Sequence, residues 1–185
     1  MSEDRLLVSR VLKGEARAFR ELVELHQRLV SSMVGRLVRN TAEQEDLCQE
    51  IFMKVYDNLH RFNFRSRLST WIARIAYLQA INTAKRQQNR RELPLPEDLP
   101  ELSAPEDNPE QALDKKELAT YLGLLIGELP FSYQTAINLY YLQEFSLAEI
   151  TTITGVPEGT LKSHLSRARG LLKEKIRKHF KIEMR

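Results

Sequence analysis

Apolar residues recur along this chain at spacings of three and four and almost nowhere in strict alternation, so the pattern predicts helices rather than strands. Leu47, Ile51, Val55 and Leu59 return every fourth residue, with Cys48 and Phe52 beside them, and form a stripe that a helix would bury. The other side of that helix gathers Asp46, Gln49, Glu50, Met53, Tyr56 and Asp57. Carboxylates mixed with a methionine and a tyrosine make either a solvated face or a partner surface, and periodicity does not choose between them. A further helix is expected from Trp71, capped by Ser69 and Thr70, burying Ile72, Ile75, Ala76 and either Leu78 or Gln79. It ends in Lys85, Arg86, Arg90 and Arg91.

The C-terminal part carries the same periodicity. Leu113 to Leu129 outline one helix, stopped at the Leu129-Pro130 junction, and residues 131 to 143 outline another. A short helix follows around Leu147 to Ile153, then a turn at Gly155 and a long helix starting near Pro157. Leu161, Leu165, Ala168 and Leu172 form the buried stripe of the long helix and leave Lys162, Ser163, Ser166, Arg167 and Arg169 mainly on other faces. Helix, glycine turn and a second helix with basic and hydroxyl side chains near its start is the helix-turn-helix arrangement, which lays its second helix in the DNA major groove.

Between the two parts, RELPLPEDLPELSAPEDNPE holds five of the seven prolines. Proline removes a backbone donor and fixes φ, so no long helix crosses this segment. The expected architecture is therefore all-α, with a domain at residues 1 to 91, an acidic Pro-rich linker at 92 to 108 and a domain at 109 to 185.

Charge sharpens this division. Residues 1 to 91 carry 17 basic and 10 acidic side chains, residues 92 to 110 carry seven acids and no base, and nine bases lie at or after Lys162. Two basic modules around an acidic strap suit a polyanion gripped at two places. Aromatics interleaved with arginines at Phe62, Phe64, Arg65 and Arg67 suit single-stranded nucleic acid, whose bases stack while the arginines track phosphate. The loop from Asn63 to Ser69 is the better candidate for base contact, with Trp71 half buried.

Other chemistries find little footing. Gly155 and Gly159 are separated by three residues where a phosphate loop needs four, Lys162-Ser163 comes two positions late, and helix rather than strand precedes them. The four histidines show no paired metal spacing, and neither a metal nor a cofactor is expected. The single cysteine, Cys48, has no partner for a disulfide and reads as a small apolar residue on a helix. The charged N-terminus lacks the apolar core of a secretory signal and no apolar run approaches about 20 residues, so a cytoplasmic protein is expected.

Three segments, DLCQEIFMKVYDNLHRF, FRSRLSTWIARIA and ELPFSYQTAINLYYLQEFSLAEITTITGVPEGTLKSHLSRARGLLKEKI, together with the acidic linker, resemble bacterial extracytoplasmic function (ECF) sigma factors in order and spacing, over nearly the whole chain. The resemblance implies that the first module binds the RNA polymerase clamp and reads the -10 promoter element. The second would read the -35 element and hold the polymerase flap. Position by position, it assigns clamp docking to Asp46, Gln49, Glu50, Phe52 and Met53. Capture of flipped -10 bases falls to Phe64, Arg65, Ser66, Arg67, Ser69, Thr70 and Trp71, with Arg74, Lys85 and Arg86 holding the strand backbone. The -35 surface comprises Thr160, Lys162, Ser163, Ser166, Arg167 and Arg169. The linker would run toward the RNA exit path, and an anti-sigma factor is implied as a regulator.

Two positions depart from the family pattern. Leu78 stands where an Asn is common and cannot donate to a base edge, and Lys162 replaces a frequent arginine, losing the planar fork that suits guanine. The alternative is a stand-alone helix-turn-helix regulator whose N-terminal module senses a ligand or dimerises. An RNA-binding helical protein comes third, and a hydrolase last, for want of a site.

Overall fold

The computed structural model describes residues 3–35, 38, 40–90 and 120–183, with side chains of the last two segments described through residues 86 and 177. The acidic linker, and the start of the helix expected from Leu113, lie outside the described residues. The first module consists of α1 (Glu3–Leu12), α2 (Ala16–Val34), α3 (Thr41–Asn58), a 3-10 turn (Leu59–Arg61) and α4 (Leu68–Arg90). The second contains α5 (residues 120–127), α6 (Phe131–Ile137) running into a π turn (Asn138–Leu142), α7 (Leu147–Thr154) and α8 (Glu158–Glu183). No strand occurs among the described residues.

Local chemistry sets the helix ends. Asn40 starts α3, its side chain accepting the Glu43 N–H at 3.1 Å and so satisfying one of the free donors of the first turn. Ser146 starts α7 as half of a reciprocal cap with Glu149, and Gly155 ends it at φ 78°. The side-chain amide of Gln134 donates to the carbonyls of Gly127 at 2.8 Å and Leu129 at 2.7 Å, tying the end of α5 to α6.

The stripe on α3 is buried as expected, through Leu47, Ile51, Phe52 and Val55, continued by Leu59. It packs with α2, whose Leu22, Val30 and Val34 are inaccessible, and both helices pack on α4. One expectation for α4 needs correction. The helix starts at Leu68, not Trp71, because the Leu68 side chain is fully buried, its N–H points at the Asp4 carboxylate (3.4 Å), and the Trp71 N–H already bonds the Arg67 carbonyl. Ser69 and Thr70 thus lie inside the first turn and cap nothing. Of the two candidates for burial, Gln79 is half buried and Leu78 is 46% exposed, since the buried run Leu68, Ile72, Ala73, Ala76 and Ala80 places Leu78 on the far side.

The second module has a small core of Ile126, Leu129, Ala136, Ile137, Leu165 and Ala168. Five of its other buried apolar residues go elsewhere: Leu139, Phe145, Ile150, Ile153 and Leu161 join the core of the first module. The contact runs chiefly between α4 and α7, so the two modules share one apolar cluster.

Two glycines test this backbone reading with opposite signs. A Cβ at Gly155 or Gly170 would meet nothing within 4 Å, so sterics are silent at both. Gly155→Ala should lower stability by about 1–2 kcal/mol through left-handed strain alone. Gly170→Ala, inside α8, should raise it by about 0.5–1 kcal/mol. Urea denaturation of the two variants reads both signs.

Candidate nucleic-acid interface

On α8 the buried stripe Leu161, Leu165 and Ala168 turns the helix so that Thr160, Lys162, Ser163, Ser166, Arg167 and Arg169 are all exposed. Lys162, Ser166 and Arg169 follow one another at i, i+4 and i+7, with Ser163 and Arg167 in the adjacent row, giving one continuous basic and hydroxyl surface. The Ser163 hydroxyl donates back to the Gly159 carbonyl at 3.1 Å. Gly159 has open space around its Cβ position.

The loop before α4 is held by aromatic contacts. Phe62 is buried and lies 4.7 Å from the ring of Phe64 and 5.4 Å from that of Trp71. Phe64 adopts φ 58°, a costly conformation for a large side chain, and the Arg5 guanidinium sits 4.8 Å over its ring. Asn63 accepts the Arg65 N–H at 3.2 Å, which closes the turn. Arg65 and Arg67 are exposed, Ser66, Ser69 and Trp71 are half buried, and Lys85 and Arg86 are exposed toward the other end of α4.

Thr70 and Arg74 are not free. Thr70 is fully buried, and its hydroxyl donates to the Glu149 carboxylate on α7 at 3.0 Å. The Arg74 guanidinium donates to the backbone carbonyl of Thr152. Arg67 lies 3.8 Å from Glu149, but its side chain is 70% exposed, so this ion pair contributes little. A cleft of about 650 Å³ opens beside these contacts, lined by Arg5, Phe64, Arg65, Ala148 and Glu149 among others. Burial pushes the Glu149 carboxyl upward, but hydrogen bonds from the Ser146 backbone and hydroxyl and from Thr70, with the Arg67 charge, outweigh it and hold the carboxyl below its ordinary range.

On α3, Asp46, Gln49, Glu50 and Met53 share the exposed face, with Met53 56% accessible. Phe52 is 7% accessible and belongs to the core behind that face, so it supports the surface instead of lining it. Tyr56 stands edge-on to Phe19 at 5.0 Å, and these two with Met53 line a groove of about 290 Å³. Burial, helped by the Glu45 charge, pushes the Cys48 thiol up, in keeping with an inert packing residue. Among the described residues no cluster of three metal-ligating side chains occurs, and no helix is long and apolar enough to cross a membrane.

Sequence reasoning missed Glu149 and Thr152 as partners of the DNA-contact candidates. The Ser146-x-x-Glu149 spacing announces a capping box. Nothing in it announces that the same carboxylate also accepts from a hydroxyl 79 residues away.

Residues 22–91 match sigma-70 region 2, and residues 119–172 match sigma-70 region 4. Over 186 aligned positions the chain is 35% identical to the ECF RNA polymerase sigma-E factor of Escherichia coli K12, covering 94% of each protein. The chain belongs to the ECF sigma factors of the sigma-70 family. A second ECF sigma factor, SigW of Bacillus subtilis, is 31% identical over 177 residues, 92% of this chain and 95% of that protein. Two solved structures share the fold. One is CnrH in complex with the cytosolic domain of CnrY (TM-score 0.66, 19% identity, 94% of this chain and 96% of that one). The other is RpoE of Bartonella quintana in complex with the anti-sigma factor NepR (TM-score 0.64, 22% identity, 88% and 98%). Membership decides between the readings that the residues alone left open: this ECF sigma factor is a DNA-binding initiation factor that directs core RNA polymerase to promoters.

The cap on α7 can be weighed directly. Ser146→Ala should lower stability by about 1 kcal/mol at neutral pH in thermal or urea denaturation. The lowered Glu149 carboxyl also fixes a sign. Its contribution is complete above the ordinary value of 4.5 and is lost as pH falls through the lower folded-state value. The stability gap between wild type and Glu149→Gln should therefore be open at neutral pH and close in acid.

Proposed function

We propose that this sigma factor divides its work between two modules, residues 1 to 91 and 109 to 185, joined by the acidic linker at 92 to 108. The first docks on the polymerase clamp through Asp46, Gln49, Glu50 and Met53, with Phe52 packed behind them, and engages the -10 strand through the loop Phe64 to Ser69 and the α4 residues Thr70, Trp71, Arg74, Lys85 and Arg86. The second reads the -35 element through Thr160, Lys162, Ser163, Ser166, Arg167 and Arg169 and holds the flap. The observation that carries this reading is the exposed basic and hydroxyl surface of α8, opposite a fully packed stripe in a helix-turn-helix.

The chemistry follows from charge and donors. Lysine and arginine contacts to phosphate supply most of the affinity and make it steeply dependent on salt. A few base-edge contacts, worth about 1–3 kcal/mol each, supply the sequence preference. Leu78, exposed on α4, offers methyl groups where relatives commonly carry Asn, which suits a thymine methyl better than a polar base edge. Control by an anti-sigma factor is part of the same proposal, supported by the RpoE–NepR complex on a shared fold. The linker would lie toward the RNA exit path, its carboxylates resembling the charge of the transcript.

Purified protein added to core polymerase should create new transcript starts, and their absence would remove this reading. Arg167→Ala should weaken promoter-dependent initiation in a runoff assay while polymerase binding in a pull-down stays intact. The pair Asp46→Ala with Glu50→Ala should weaken the pull-down itself, with stability changed by no more than about 0.5 kcal/mol because both side chains are exposed.

A further inference from the structure

We propose that Arg5, on the N-terminal helix α1, is a strand-binding residue that takes a backbone phosphate of the single strand engaged by the loop before α4. This deepens the reading of that loop as the -10 contact and rests on it. Neither Arg5 nor any other residue of α1 belongs to the motifs that point to nucleic acid in the sequence. The structure brings Arg5 there from nearly sixty positions away, with its guanidinium 4.8 Å over the ring of Phe64.

The placement is rigid. Leu7, Val8 and Val11 bury one side of α1 in the core of the first module, and the helix packs on the 3-10 turn Leu59–Arg61 that leads into the loop. The neighbouring Asp4 carboxylate accepts from the Leu68 N–H at 3.4 Å, which ties α1 to the start of α4. Phe64 holds φ 58°, a backbone conformation that persists only where its surroundings impose it, and Arg5 is one of those surroundings.

The chemistry of the site selects an anion. Arg5 is exposed and forms no ion pair among the described residues, so its charge is held on an aromatic face without being neutralised. Arg65 and Arg67 line the same cleft, and both are exposed. The two carboxylates in the lining, Asp4 and Glu149, already accept from protein donors. A guanidinium fixed beside an aromatic ring matches a nucleotide, whose phosphate takes the paired donors while the ring borders the base. Arg5, Phe64 and Arg65 all belong to the first module, so this contact needs nothing from the second.

The test measures binding of the full chain to a fluorescein-labelled single-stranded DNA of random sequence, by anisotropy over a series of salt concentrations. Arg5→Ala should weaken binding about fivefold at low salt and flatten the plot of log affinity against log salt by about 0.7, the loss of one single-strand phosphate contact. Arg5→Lys should restore the slope, because an ammonium also sits over a ring and meets phosphate as a point charge. Arg20→Ala removes the same charge at an exposed position outside the cleft and should leave the slope unchanged. A weaker Arg5→Ala with an unchanged slope means that Arg5 only braces the ring, and overturns the proposal. Equal effects of Arg5→Ala and Arg20→Ala overturn it too, as net charge alone. If Arg65→Ala changes neither strand affinity nor initiation with core polymerase, the reading of the loop has failed and takes the Arg5 contact with it. If Arg65→Ala weakens both while Arg5→Ala keeps the wild-type slope, the Arg5 contact alone falls.

Discussion

The hydroxyl of Thr70 is buried where two modules meet, and a buried hydroxyl needs a partner. Glu149 supplies it from α7 while also closing the cap that starts α7. One carboxylate thereby couples a local decision, where a helix begins, to a global one, how the helix-turn-helix sits on α4. The apolar side chains beside it, Ile150 and Ile153, provide the non-directional part of the contact. The carboxylate provides direction, because it accepts at fixed distances from donors on both sides.

This arrangement treats the two DNA-facing surfaces unequally. The face of α8 is fully presented, since its helix buries only the stripe that a three-and-four repeat requires. The face of α4 is a surface between partners: one side packs on α2 and α3, and the other meets α7. The loop leading into α4 keeps Phe64 in a left-handed conformation beneath Arg5, which places an aromatic ring and the exposed Arg65 and Arg67 at the mouth of the cleft. Backbone strain of this kind persists only where surrounding contacts determine it. Here the surrounding contacts are the rings of Phe62 and Trp71 and the turn closed by Asn63.

Much of the fold was legible because it is local. The buried stripes of α3 and α8 follow from periodicity, and the turn at Gly155 follows from the one residue type that reaches φ 78° at little cost. The exposed -35 candidates were legible for the same reason, as the remainder left by a recognisable stripe. Misreadings fell where a distant partner changed a residue's surroundings. Ser69 and Thr70 look like caps until the N-terminal helix brings Asp4 to the Leu68 N–H and moves the start of α4 back. Between Leu78 and Gln79, which periodicity leaves as alternatives, the packed alanines at 73, 76 and 80 decide that Leu78 faces out.

By itself, the sequence determined the helical class, the acidic break between two basic modules, the helix-turn-helix and the family motifs. Each of these rests on composition or on spacing within a few turns of helix. Only the tertiary structure decided that Phe52 supports the α3 face from behind, that Leu139, Phe145, Ile150, Ile153 and Leu161 join the first module's core, and that Thr70 and Arg74 are engaged by α7. Periodicity identifies which side of a helix is covered without identifying what covers it, and the partners here are nearly eighty residues apart in the chain.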